Sequence, residues 1–163
     1  MPDIHVERPG NVAWIIIDRG DGRNSLQPST LRELCDAFDT ATADAGVGSI
    51  VFAARGRHFS AGADFEFLTE LRTTPAAAVK DQIYAVFQGA ARRIYHCPKP
   101  VVAAVQGAAI TVACELALGC DYRIIAPSAM FRRRGSSWGC SRLWAACFSC
   151  RVSSVSDVPR ISC

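Results

Sequence analysis

The sequence predicts an α/β fold with mostly parallel strand pairing, and three observations carry that prediction. Short apolar, β-branched runs at Val12–Ile17, Ser49–Ala54, Val101–Val105 and residues 121–126 each read as a strand. Stretches of helical period lie between them. Gly and Pro punctuate the joins. Strands alternating with helices give the α/β class.

The elements follow in order. Residues 18–24, with Gly20 and Gly22, form a loop after the first strand. Leu31, Leu34, Cys35, Phe38 and Ala41 then recur near helical period, so residues 29–42 are expected as an amphipathic helix, ended by Gly46 and Gly48. After the second strand, residues 55–62 are a loop, and Asp64 is placed to cap a short helix through Leu71. Residues 75–95 read as a longer helical stretch, stopped by Pro98 and Pro100. Gly107 breaks the third strand, and residues 111–118 form a helix ended by Gly119.

The 163 residues suffice for one domain with a real core, and 50% hydrophobic against 20% charged residues is globular composition. Residues 1–10 hold Asp3, Glu7 and Arg8 and no apolar secretory core. The longest apolar run, residues 101–120, contains Glu115, so no membrane span is expected. A cytoplasmic protein is the expectation.

Charge and cysteine divide the chain in two. Residues 1–131 hold twelve Lys and Arg against fourteen Asp and Glu, whereas residues 132–163 hold six Arg against Asp157 alone. A basic tail can bind nucleic acid, but these arginines are scattered, without Lys or amphipathic period, so no nucleic-acid partner is expected. Cys35, Cys97, Cys114 and Cys120 are spread over the first part, while Cys140, Cys147, Cys150 and Cys163 crowd the last. Cys147 and Cys150 form a C-x-x-C, but no second ligand pair stands at metal spacing, and no metal is expected.

Two segments carry the functional inference. One is Phe59-Ser60-Ala61-Gly62-Ala63-Asp64, directly after a strand. The other runs Pro98-Lys99-Pro100-Val101-Val102-Ala103-Ala104-Val105-Gln106-Gly107 and continues to Cys114-Glu115-Leu116-Ala117-Leu118-Gly119-Cys120-Asp121. Both resemble the crotonase superfamily, the enoyl-CoA hydratases and isomerases, and Asn24-Ser25-Leu26 resembles the N-A-L before that family's first long helix. The resemblance covers residues 4–131. It implies the N-terminal part of a crotonase-type spiral of ββα units, residues 1–131, followed by residues 132–163 outside that fold. The implied function is to bind an acyl-CoA thioester and stabilise its enolate in a backbone oxyanion hole. The alternative is an inactive fragment that lacks the family's C-terminal pocket and oligomerisation helices. Coenzyme A enters as part of the substrate, and no other cofactor is implied. The family's usual homotrimers or hexamers depend on those C-terminal helices.

Enolate chemistry needs two donors aimed at the thioester oxygen as charge develops there, and backbone N–H groups at helix starts suit that task. By resemblance the donors are the N–H groups of Ala63 and Val112. Ala61, Gly62 and Asp64 complete the substrate-binding turn, whose small residues admit the thioester. Glu115 stands in an otherwise apolar helix and matches the family's first catalytic glutamate, which in hydratases handles the added water. The bland readings remain beside these: two ordinary tight turns, and a solvent-facing Glu. Asp64 reads first as a helix cap, and Asp121 as structural. His58 and His96 read as loop or surface residues. Ser60 has no placed His–Asp pair to make it a nucleophile.

The chain departs from the family at Thr111-Val112-Ala113, where consecutive glycines are usual. An N–H survives any side chain but Pro, but β-branching crowds the turn and restricts its dihedrals. The second departure is the tail. The family continues after its A-x-F with P-E-x-x-L-G-x-x-P-x-x-G-G, which carries its second catalytic glutamate, whereas Phe131 is followed by RRRGSSWGC. With freely chosen synonymous codons and one base lost near Arg134, this stretch can be read as L-G-L-F-P-A-L-G-G. Residues from about 134 onward are therefore expected to be frameshift product, non-native and unstructured. In the shifted reading the second glutamate's position is Gly.

Overall fold

The computed structural model describes residues 2–132. The tail, its frameshift reading and the Cys147–Cys150 motif lie outside the described residues.

Five strands form the main sheet in the order β1-β2-β3-β4-β6: β1 (Ile4–Glu7), β2 (Val12–Ile17), β3 (Ser49–Ala54), β4 (Val101–Val105) and β6 (Tyr122–Ile125). β1 pairs antiparallel with β2, Ile4 opposite Ile17, and the other pairs are parallel. A second sheet pairs β5 (Ala108–Ile110) in parallel with β7 (Met130–Arg132). The expected strands stand where they were read. The additions are β1, β5 and β7, which at three or four residues are too short to show a period.

α1 (Pro28–Ala43) starts with Pro at its first turn, where the missing N–H costs nothing. Its buried face is Leu31, Leu34, Cys35, Phe38 and Ala41, the face its spacing predicted. Lys99 closes its other end, where Nζ donates to the carbonyls of Ala41 at 2.8 Å and Asp44 at 2.6 Å. Under α1 the core is aromatic. Phe52 meets Phe38 and Phe59 edge-to-face, with ring centroids 6.0 and 5.2 Å apart. Ile15, Ile17, Ile50 and Val101 are fully buried around them. Asp121 is structural, its carboxylate accepting the Val101 N–H at 2.8 Å.

The 75–95 stretch is not one regular helix. It runs as α3 (Ala76–Ala78), a π-helical turn (Val79–Tyr84) and α4 (Ala85–Tyr95). Ala90, Ala91 and Ile94 of α4 are buried, and α4 packs on α1. Regular winding thus coincides with a packed face, and the wider turn lies upstream of it. α2 (Phe65–Glu70) buries no residue, though Phe67 stacks on Phe87 at 6.4 Å.

Candidate active site

The site begins with a buried asparagine. Asn24 sits at φ 51°, a backbone state in which Asn is at home. Its Nδ2 donates to the carbonyls of Arg55 at 2.8 Å and His58 at 3.0 Å, and its Oδ1 accepts the Arg19 N–H at 3.2 Å. That staple lays Leu26 beside Ala63 in a single parallel bridge. The bridge is made by Leu26 N–H to Gly62 carbonyl, 2.7 Å, and Asp64 N–H to Leu26 carbonyl, 3.0 Å. In a parallel bridge the bonds run to the residues flanking the bridged one, so the Ala63 N–H itself points away from Leu26.

A second bridge joins Ser60 to Ala109. Ser60 N–H donates to Ala108 carbonyl at 2.9 Å, and Ile110 N–H donates to Ser60 carbonyl at 3.1 Å. The turns 61–63 and 110–112, far apart in sequence, therefore lie side by side. Gly62 adopts φ 86°, and a Cβ there would collide with Thr111 Oγ1 and lie 2.6 Å from the Ile110 carbonyl oxygen. Only glycine fits.

Thr111 differs from its sequence reading as the first helical residue. It is the residue before α5 (Val112–Gly119), at φ 49° and ψ −110°, and its side chain makes no cap hydrogen bond. For a β-branched residue this backbone state costs on the order of 1–3 kcal/mol. The surroundings impose it. Its N–H donates to Arg132 carbonyl at 2.9 Å, and its carbonyl accepts Glu115 N–H at 3.0 Å. That second bond is the first turn of α5, so the Val112 N–H stands ahead of the intrahelical ladder, at the positive end of the helix dipole. Glu115 follows one turn later, half-buried between buried Cys114 and Leu116. Residues 112 and 115 share a helix face, and helical side chains lean towards the N-terminus, which sets Glu115 over the same turn.

Both Asp64 oxygens are engaged. Oδ1 accepts the N–H groups of Glu66 at 3.0 Å and Phe67 at 3.3 Å, capping α2, and Oδ2 lies 3.4 Å from Arg19 Nη1. Burial pushes its carboxyl up, but hydrogen bonds from the Phe67 N–H, Arg19, Gln27 and the Glu66 N–H outweigh that and hold it below the ordinary range. Arg19 also faces Asp3 at 3.4 Å and donates to the Ser25 carbonyl at 2.5 Å, tying the loop, the N-terminal strand and the α2 cap together. Sequence reasoning missed both Arg19 and the staple role of Asn24. The glycines around Asn24 were the available signal for the latter, and nothing local marked Arg19.

The other candidates resolve simply. Ser60 is fully buried and its Oγ accepts the Gly62 N–H at 3.1 Å, so it shapes the turn instead of facing a substrate. His58 Nδ1 accepts the Ala108 N–H at 3.2 Å, and His96 is exposed at the end of α4. Cys35, Cys114 and Cys120 are buried, and burial pushes the Cys120 thiol up to about 12. Among the described residues no group of three or more His, Cys, Asp or Glu is placed to hold a metal, and no helix is long and apolar enough to cross a membrane. A surface groove of about 440 Å³ between α1 and α4, lined by Asp39, Thr42, Arg93 and His96 among others, shares no residue with the two turns.

Comparisons with known proteins bear on the family and the fold. The sequence model of the enoyl-CoA hydratase/isomerase family matches residues 7–152, a span that runs past the boundary expected at residue 131. Crotonyl-CoA hydratase of Syntrophomonas wolfei is 35% identical over 130 residues, 79% of this chain and 48% of that protein. Short-chain-enoyl-CoA hydratase of Clostridium acetobutylicum is 32% identical over 80% of this chain and 49% of its own length. The crystal structure of an enoyl-CoA hydratase/isomerase from Xanthobacter autotrophicus superposes with a TM-score of 0.76 at 36% identity, covering 80% of this chain and 48% of that one. The chain spans about half the length of the curated relatives it matches. With the family's sequence model matching most of its length, the chain belongs to the enoyl-CoA hydratase/isomerase family.

Proposed function

We propose that this chain binds an acyl-CoA thioester and stabilises its enolate, as an enoyl-CoA hydratase or isomerase does. The observation that carries the reading is the pairing of turns 61–63 and 110–112 through the Ser60–Ala109 bridge. It puts two N–H groups, Ala63 and Val112, on adjoining turns without spending either on that bridge or on the α5 ladder.

The chemistry follows from that arrangement. When water adds to the β-carbon of an enoyl thioester, the electron pair of the double bond moves onto the thioester oxygen. Two rigid amides at that oxygen stabilise the charge without reorganising, and the dipole of α5 adds to one of them. Glu115 accepts the proton of the attacking water, and the enolate collapses as a proton reaches the α-carbon. In an isomerase the same carboxylate takes a proton from the α-carbon and returns it at the γ-carbon, through the same enolate. Ala61 and Gly62 keep the approach to the Ala63 amide open. Asp64 holds the turn through the α2 cap.

The names of the two hydratase relatives make crotonyl-CoA the first probe. Incubated with the purified chain, it should lose its conjugated-enoyl absorbance if the chain is a hydratase. A 3-enoyl-CoA should gain that absorbance if it is an isomerase. No change with either, together with no calorimetric binding of a short acyl-CoA by the folded protein, would establish the alternative, an inactive fragment.

A further inference from the structure

Thr111 holds a left-handed φ that a β-branched residue resists, and its surroundings give that strain a role. Among the described residues, Asn24 and Thr111 are the non-glycine residues with left-handed φ. Asn24 is fastened by its own side-chain hydrogen bonds. Threonine before a helix ordinarily turns its hydroxyl to a helix N–H, but here no such bond forms. Oγ1 instead lies against Gly62, in the space a Cβ would take. The two turns are thus keyed together, with a side chain where backbone preference argues against one and none where space forbids one. Thr111 is covalently next to Val112, and Gly62 is next to Ala63.

We propose that Thr111 is a positioning residue whose side chain, wedged against Gly62, sets the spacing of the Ala63 and Val112 amides and so how strongly they polarise a thioester oxygen. The inference rests on the reading of those amides as the oxygen's donors. Its physical core is steric. The bonds to Arg132 carbonyl and from Glu115 N–H fix the Thr111 backbone, so its side chain is the movable part of the seam and Gly62 is what it presses on.

Thr111→Gly removes the wedge and relaxes the backbone. Thr111→Ser keeps the oxygen with less crowding, and Thr111→Val keeps the bulk. The first readout needs no ligand: amide hydrogen exchange at Gly62 and Asp64, whose N–H groups bond Ser60 Oγ and Leu26 carbonyl. Exchange there should rise about tenfold or more in Thr111→Gly and stay near wild type in Thr111→Val. The second is the red shift of an aromatic enoyl-CoA on binding, a direct measure of carbonyl polarisation. Thr111→Gly should lose at least half of the shift while its Kd changes less than about threefold. Equal exchange in wild type and Thr111→Gly overturns the bracing. Faster exchange with an unchanged red shift overturns its link to polarisation. A wild-type protein that fails to bind the probe sinks the thioester reading itself and the polarising role with it, while the exchange comparison still decides the bracing. Thr111→Ser repeats both measurements should Thr111→Gly fail to fold.

Discussion

The two turns that meet at the candidate site are built by opposite means. Turn 61–63 is held by partners: Leu26 on one side, Ser60 Oγ beneath Gly62, and the Asp64 cap with Arg19 behind it. Its glycine takes a left-handed φ at no steric cost. Turn 110–112 is held by its position between β5 and α5, and it forces a threonine into a state that only glycine adopts freely. The first turn is polar and well satisfied, whereas the second is strained and ends in a half-buried carboxylate. Each turn carries one of the proposed donors, but backbone strain and the proposed base gather at the second, and satisfied hydrogen bonds gather at the first. If that division is right, substitutions on the two sides should fail differently, the first in stability and the second in rate.

The largest effect should come from Glu115. Glu115→Gln keeps size and polarity but cannot take a proton. If the chain hydrates crotonyl-CoA, its kcat should fall by about 10²–10⁴-fold, the usual worth of a general acid/base. Its melting temperature should change little. An unchanged rate in the folded variant removes Glu115 from the mechanism and leaves the second turn no more reactive than the first.

Gly62→Ala tests the other side. The added methyl meets Thr111 Oγ1 and the Ile110 carbonyl oxygen, at a φ of 86° that alanine resists. A loss of stability on the order of 3 kcal/mol is expected from denaturant titration. In a Thr111→Gly background part of that cost should vanish, because one of the two colliding atoms is gone. A coupling of at least about 0.5 kcal/mol in the double-mutant cycle would register the contact. Strict additivity would mean that the turns do not press on each other.

The sequence made some of this division readable. Val12–Ile17, Ser49–Ala54 and Val101–Val105 were found at their true bounds because each is apolar, bounded by breakers, and long enough to show a pattern. The face of α1 was legible from Leu31, Leu34 and Phe38. β1, β5 and β7 were not, since pairing with distant partners, not local preference, makes them strands. At the site, the turn residues and Glu115 stood out as motifs. Crowding at Thr111 was foreseeable from its β-branching. Its contact with Gly62 was not, because it exists only once Ser60 pairs with Ala109. The role of Arg19 was hidden for the same reason, its carboxylate partners Asp3 and Asp64 coming from separate elements.

The smallest effect concerns Asp64, and it tests whether the first turn is structural. Its carboxyl sits below the ordinary range because the Phe67 and Glu66 N–H groups, Arg19 and Gln27 favour the charged form more than burial opposes it. A folded pKa lower than the unfolded one adds stability that is present above the unfolded value, about 3.9, and is lost as pH falls through the folded value. Asn caps helices about as well as Asp but carries no charge. Asp64→Asn should therefore cost roughly 1 kcal/mol near neutral pH, through loss of the charge that the Phe67 N–H and Arg19 favour, and the gap to wild type should close as pH falls from the unfolded value through the folded one. Asp64→Ala, which also loses the cap, should retain a deficit of about 1 kcal/mol even in acid. Denaturant titrations of the three proteins across that range provide the check. If the gap between wild type and Asp64→Asn does not depend on pH, the charge of Asp64 does not stabilise the fold. If Asp64→Asn instead abolishes acyl-CoA binding while leaving stability intact at every pH, Asp64 acts on the ligand as Glu115 is proposed to, and the contrast between a turn held by satisfied bonds and a turn held under strain no longer separates stability from function.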